Sequence, residues 1–304
     1  MSEALRAGID IGGTKTEAVA VDATGGIVHR LRLPTGFGPD AVLETAVTAL
    51  TSLAELAHGG IADFASIGVG IPGAVDPVSG RVTHAVNLGL DGLELGEDLG
   101  RRLGRAVRVD NDVNAAAIGA YHLLGEQRTR SLAYLNLGTG LAAGLVLDGR
   151  LWRGSRGTAG EIGHIPVDPD GPECPCGQRG CLETVASGSA IARQWPTDDP
   201  KPARALFAAA ASGDPAALEV RRRFLDNVAA AVRVLVLTVD TDTVVIGGGL
   251  SSLGTELLDA VRAVLADWER HSPFLASTHL SERVTIVPAE FPAAAVGAAL
   301  VGVA

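Results

Sequence analysis

An acid near the end of an apolar run, followed after one isoleucine by two glycines, a threonine and a lysine, has the makings of a phosphate grip: DIGGTKTE at 10 to 17. Glycines without Cβ let backbone N–H groups approach phosphate oxygens, Thr14 and Lys15 add donors, and Asp10 suits Mg²⁺ or one of its waters. Gly12 and Gly13 make the turn itself. A second turn, Gly138-Thr139-Gly140, follows the apolar run SLAYLNL, and a third, Gly247-Gly248-Gly249, follows TVVI. Singly, each is an ordinary glycine hairpin. Together they predict a three-point cradle for a nucleotide.

In VDNDVNAAAIGAY at 109 to 121, Asn111 and Asp112 stand where a strand passes into an Ala-rich helix. Aspartate there is commonly an N-cap. It is equally a carboxylate at a strand's carboxyl end, where it can take the proton of a hydroxyl that attacks a γ-phosphate. At this level both readings stand.

The segment GEIGHIPVDPDGPECPCGQRGCLET at 160 to 184 holds His164, Cys174, Cys176 and Cys181 in the spacing H-x9-C-x-C-x4-C. One imidazole and three thiols among Pro and Gly turns fit a closed tetrahedral zinc site with no ligand position left for chemistry. The site is expected to be structural and to pin the loop that carries Glu161 and Glu183. A ring nitrogen of His164 left off the metal could then donate to a substrate hydroxyl. All three cysteines of the chain fall between 174 and 181. That is no disulfide framework; it points to a reducing compartment and a cytoplasmic protein.

These residues need elements to hold them. AGIDI, TEAVAVD and IVHRLRL read as three strands, residues 39 to 57 as a helix, SIGVGI as a buried strand, 93 to 103 as a helix and AVRVD as a strand. At 131 to 153 the pattern of strand, glycine turn, strand, glycine turn, strand returns, and superimposing IDIGGT on LNLGTG lays Asp10 over Asn136. An internal duplication is therefore expected, with two related halves facing across a cleft. Helices near 202 to 238 and 254 to 269 bracket TVVIGG. Predicted boundaries are an N-terminal α/β domain at 1–113, joined by a C-terminal helix at about 291–304, and a second α/β domain at 114–290 that carries the metal loop.

With 304 residues, 47% of them hydrophobic and 20% charged, the chain has material for two such domains without covalent staples. A formal net charge of -10 argues against a broad footprint for nucleic acid or an anionic membrane. No apolar leader precedes Asp10, and no run approaches membrane-spanning length. No G-x-x-x-x-G-K-[ST] or G-x-S-x-G occurs. The one G-x-G-x-x-G, Gly68 to Gly73, contains Pro72 and runs into a turn instead of a helix, which excludes a dinucleotide fingerprint.

The chain resembles the ROK family of repressors, open reading frames and sugar kinases. The likeness rests on DIGGTKT at 10 to 16, GIPG at 70 to 73, NDVNAAA at 111 to 117, LGTG at 137 to 140, GEIGH at 160 to 164, CxCGxxGCxE at 174 to 183 and IGGGL at 246 to 250. The resemblance implies an α/β, actin-like (ribonuclease H-like) two-domain sugar kinase fold with an interdomain cleft. It also implies ATP-dependent phosphorylation of a hexose 6-hydroxyl, glucose first, with N-acetylmannosamine, N-acetylglucosamine or fructose as alternatives. By motif position Asp112 is the catalytic base, and Gly73, Asn87, Asn111, Glu161, His164 and Glu183 bind the sugar. Asp10, Gly12, Gly13, Thr14, Lys15, Gly138, Thr139 and Gly140 surround the phosphates, and Gly247, Gly248 and Gly249 lie against the adenosine. ATP, Mg²⁺ and structural Zn²⁺ are the expected cofactors, and a homodimer or a dimer of dimers is the expected assembly. A repressor is disfavoured because Asp10 comes too early to leave room for a helix-turn-helix; a sugar sensor without catalysis is the remaining alternative. The chain departs from common family residues at Ala142, usually glycine, and at Leu182, often aromatic. It also lacks a tryptophan that often follows Asn87.

Overall fold

A computed structural model describes residues 4–125 and 129–302. The chain divides into two compact units, one of residues 1–128, 154–157 and 292–304, the other of 129–153 and 158–291. Elements are numbered in chain order.

The first unit opens with the meander β1 (Arg6–Ile11), β2 (Lys15–Val21) and β3 (Ile27–Pro34), whose two connections are the glycine breaks GGTK and ATGG. Helix α1 (Pro39–Leu56) follows, with Pro39 in its first turn and Val42, Leu43, Ala46, Leu50 and Leu53 buried along one stripe, the period of an amphipathic helix. Then come β4 (Ser66–Ile71), the small hairpin β5 (Ala74–Val75) and β6 (Val82–Thr83), α2 (Leu95–Leu103), β7 (Arg108–Asn111) and α3 (Asp112–Leu124). The sheet order is β3-β2-β1-β4-β7, with β4 and β7 parallel to β1. Asp10 pairs with Gly70 and Gly70 with Asp110, so three carboxyl strand ends lie side by side. Crevices at such ends are where open α/β sheets bind ligands.

The second unit repeats this plan. Strands β8 (Ser131–Leu137), β9 (Leu141–Leu147) and β10 (Arg150–Trp152) form the meander. Helices α4 (Glu183–Ala186), α5 (Gly188–Gln194), α6 (Pro202–Ala211) and α7 (Pro215–Val239) come next, then β11 (Thr243–Gly247), α8 (Thr255–His271), α9 (Pro273–Ala276) and β12 (Val284–Ile286). Its order, β10-β9-β8-β11-β12, has the directions of the first sheet, and Asn136 pairs with Gly247 as Asp10 pairs with Gly70. The expected duplication thus extends to residue register. The core of this unit is centred on Phe207 and Phe224, whose rings meet edge to face at 6.4 Å.

The chain closes with α10 (Ala293–Val301), which returns to the first unit; residues 303 and 304 of the expected helix lie outside the described residues. Helix α10 packs on α3, β1 and β4 with backbone against backbone. A Cβ on Gly297 would stand 1.7 Å from the Ala115 carbonyl oxygen, one on Gly119 2.0 Å from that of Ala293, and one on Gly68 1.9 Å from that of Ala298. Glycine inside a helix costs about 0.5–1 kcal/mol relative to alanine, and here it is needed because no side chain fits. This contact keeps α3 in the first unit, whereas the predicted boundary passes to the second at residue 114.

A Gly297→Val substitution must separate α10 from α3. Forced overpacking costs on the order of 3 kcal/mol, so the urea midpoint of the variant is expected to fall by that equivalent. An unchanged midpoint would show that the helix contact carries little.

Candidate active site

In the first unit the strand ends gather one set of side chains. The turn from β1 to β2 holds Gly12 to Lys15, closed by the Gly12 N–H donating to the Lys15 carbonyl at 3.0 Å. Two further backbone bonds tie neighbouring loops to it and to each other: Thr35 N–H to the Thr14 carbonyl at 3.1 Å, and Gly38 N–H to the Leu88 carbonyl at 2.8 Å. Asn87 sits in the short turn Val86–Leu88, so close to the phosphate-type turn that a Cβ on Gly13 would be 3.4 Å from its own Cβ.

Asn111 is the N-cap of α3: its Oδ1 accepts from the backbone N–H of Val113 at 2.9 Å and of Asn114 at 3.2 Å. Its Nδ2 donates to the Gly73 carbonyl at 3.1 Å. Gly73 has φ of +98°, and a Cβ there would be 2.6 Å from the Thr83 carbonyl oxygen, so glycine is required at this crossing. The cap role weighed for Asp112 therefore belongs to its neighbour. Asp112 is the first residue of the helix, in the positive end of its dipole, and its Oδ1 accepts from the Val113 N–H at 3.0 Å. Burial, then the Asp112 and Glu17 carboxylates, push Asp10 up to about 8, against a weaker opposing pull from Lys15. A carboxyl held that high beside a second carboxylate is a place where a divalent cation would be welcome.

The second unit carries the other set. In its turn, Gly138 N–H donates to the Gly140 carbonyl at 3.0 Å. Glu183, at the start of α4, accepts from the Leu141 N–H at 3.0 Å and braces the turn from below. Gly188 N–H reaches the Gly138 carbonyl at 2.8 Å and Ser189 N–H the Thr139 carbonyl at 3.2 Å, so α5 grips the turn from its other side. After β11, Gly248 N–H donates to the Tyr134 hydroxyl at 3.0 Å, and Gly249 begins the helical turn Gly249–Leu253. Ala142 lies in β9 opposite Asn136, beyond the turn, where a Cβ is ordinary; Leu182 is a core residue, 1% exposed.

Glu161 caps and His164 ends the turn Ile162–His164, which packs on β9 beside Glu183. His164 Nδ1 stands 3.8 Å from Cys174 Sγ, and its Nε2 points the other way, 3.9 Å from a Glu161 carboxylate oxygen. Cys176 and Cys181 sulfurs are 3.7 Å apart, and the ligand atoms of His164 and the three cysteines all lie within 4.8 Å of one another. Zinc–sulfur bonds of about 2.3 Å set a tetrahedral edge of roughly 3.8 Å, so these spacings fit a tetrahedral ion. Bonds from the Gln178 backbone and side chain lower the Cys176 thiol to about 6, while burial raises Cys181 to about 12 and also raises Cys174.

Within each unit, then, the residues singled out from sequence come together. Those it missed are the braces: Gly188 and Ser189 on the second turn, Thr35 and Gly38 on the first loops. They act through backbone atoms, which carry no residue-type signal. Among the described residues no helix is long and apolar enough to cross a membrane.

A sequence model of the ROK family matches residues 6–301. The glucokinase of Streptomyces coelicolor is 34% identical over 283 residues, 87% of this chain and 88% of its own. An N-acetylmannosamine kinase of Salmonella arizonae is 36% identical over 261 residues, 84% of this chain and 87% of its own. A crystal structure of a ROK glucokinase from Streptomyces griseus, in complex with glucose and AMPPNP, superimposes with a TM-score of 0.82 at 30% identity, covering 98% of this chain and 99% of that one. The fold is the actin-like fold of these sugar kinases.

Asp10 gives a test that needs no substrate. The folded chain holds its proton up to about 8, whereas an unfolded aspartate loses it near ~3.9. Between those values the native state binds more protons than the unfolded one, so stability falls as pH rises and levels off above the upper value. In metal-free buffer Asp10→Asn removes that loss. Its unfolding free energy, read from urea titrations at each pH, is expected to exceed that of the parent by a margin that grows from about pH 5 to pH 8 and reaches at least ~1 kcal/mol. A margin independent of pH would contradict the raised Asp10.

Proposed function

The chain belongs to the ROK family, and from that premise we propose that it is an ATP-dependent hexose kinase that transfers the γ-phosphate of ATP to the 6-hydroxyl of glucose. The observation that carries this reading is the pair Asp10, in β1, and Asp112, just past β7, at the carboxyl ends of the two strands that flank β4, with a glycine turn made for phosphate after β1.

Phosphoryl transfer asks a protein mainly to position the reactants and neutralise charge. In this account Asp112 accepts a hydrogen bond from the sugar hydroxyl and takes its proton as the oxygen attacks. Asn87, Asn111, Gly73, Glu161, His164 and Glu183 orient the sugar. Asn111 gives its oxygen to the helix cap and an N–H to Gly73, which supports a role in holding Asp112 and Gly73 in place beside the sugar. Gly12, Gly13, Thr14, Lys15, Gly138, Thr139 and Gly140 surround the phosphates, and Gly247 to Gly249 lie along the nucleoside. Mg²⁺, held by Asp10 directly or through water, would supply charge neutralisation on the phosphates.

Zinc on His164, Cys174, Cys176 and Cys181 would fix the loop between Glu161 and Glu183. The outward turn of His164 Nε2 supports this division of labour, with Nδ1 on the metal side and the second nitrogen left for a hydroxyl. Protein purified without chelator should then contain close to one zinc per chain, and Cys176→Ser should lower both the zinc content and the melting temperature. Substoichiometric zinc with undiminished stability would refute the site. A homodimer, or a dimer of dimers, goes with family membership.

A second acceptor has a specific observation in its favour, the 36% identity to an N-acetylmannosamine kinase. Both readings meet one experiment: ADP release with Mg·ATP against glucose, mannose, fructose, N-acetylglucosamine and N-acetylmannosamine. Turnover is expected, highest with glucose. Preference for an N-acetyl sugar would move the assignment within the family, and binding of a hexose without ADP release would replace the enzyme with a sensor.

A further inference from the structure

The second unit contains a cavity of ≈ 220 Å³ that none of the sequence motifs covers in full. Gly188 and Gly249 line it, and Gly188 is the residue whose N–H holds the Gly138 carbonyl at 2.8 Å, so the cavity adjoins the second phosphate-type turn. Its apolar walls are Pro202 at the start of α6 and Leu250 and Leu253 in the turn after β11. A small apolar slot one residue from a phosphate grip is suited to a nucleobase. This step rests on the kinase reading above.

The polar side chains among its lining are few. Lys201 and Arg204 carry donors only, and Ser252 gives its hydroxyl proton to the Gly249 carbonyl at 2.8 Å. All three are exposed to solvent. Strong discrimination between isosteric ligands comes from a buried polar group that the wrong ligand leaves unpaired; an apolar pocket alone yields about 10- to 200-fold. Adenine presents N7 as acceptor and its 6-amino group as donor, whereas guanine presents N7 and O6, both acceptors. Lys201, Arg204 and Ser252 all stay in contact with water, so neither base leaves a buried polar side chain of the slot unpaired. The Arg204 guanidinium can also lie over the face of either purine.

We propose that the donor site grips the phosphates and stacks the purine without reading its edge through side chains, so that GTP serves as phosphoryl donor alongside ATP. Lys201, one of only two lysines in the chain, and Arg204 supply affinity common to both bases.

Two readouts test this on the full-length protein. The first is calorimetric binding of ADP and of GDP with Mg²⁺; the second is kcat/KM for phosphorylation of the preferred hexose with ATP and with GTP. GDP is expected to bind, and GTP is expected to fall within about 100-fold of ATP. Arg204→Ala should raise KM for both nucleotides by a similar factor of about 3 to 10, with the sugar KM unchanged. A preference for ATP beyond that 100-fold range, or ADP binding without GDP binding, overturns the proposal and leaves the kinase reading intact. An Arg204→Ala effect confined to ATP also overturns it. Absence of binding by either nucleotide removes the kinase reading and this inference with it.

Discussion

Two carboxylates that repel each other set the terms for the first unit. Asp10 is the last residue but one of β1 and Asp112 begins α3, with β4 between their strands, and Asp10 is also raised by Glu17 across the hairpin. Such an arrangement survives only where something compensates. The dipole of α3 favours charge at Asp112, and Asn111 fixes the first turn of that helix by taking two of its N–H groups. Helix α10 then locks α3 to the sheet through glycines that leave no room for a side chain. The precision of the pair is therefore supplied from the far end of the chain, by a segment that carries no chemical group of its own.

The second unit shows what the same plan becomes when the acid is lost. Asn136 stands where Asp10 would be, and the turn after it is braced by Glu183 and by the backbone of α5 instead of being charged. One copy of the duplicated element thus holds negative charge beside its glycine turn, and the other holds an amide. The cysteine cluster belongs to the second copy only. It lies between Glu161 and Glu183 in sequence, so an ion there would fix both acids at once, and the histidine that shares the cluster keeps one ring nitrogen for Glu161 and beyond.

Much of this was legible from residue types. The strands of both meanders, the duplication and the H-x9-C-x-C-x4-C spacing are local patterns, and local patterns survive translation into structure. Less legible were features set by distant contacts. Asn111 and Asp112 are both good caps, and only the register of β7 decides that Asn111 takes the role. Strands β5, β6 and β12 are two or three residues long and have no period to detect. The seat of α3 depends on α10, more than 160 positions later, and Glu183 as a brace depends on a backbone N–H 42 positions away. Lys201 and Arg204 fall in a polar stretch without a motif, and only the cavity brings them to notice.

The most direct measurement is a single-turnover reaction of the parent and Asp112→Asn with Mg·ATP and glucose, with the phosphorylated position read by phosphorus NMR. The account predicts hexose 6-phosphate from the parent. For the variant it predicts a rate lower by on the order of 10² to 10⁴, with glucose binding retained by calorimetry. Equal rates, or phosphate on a different oxygen, would contradict it.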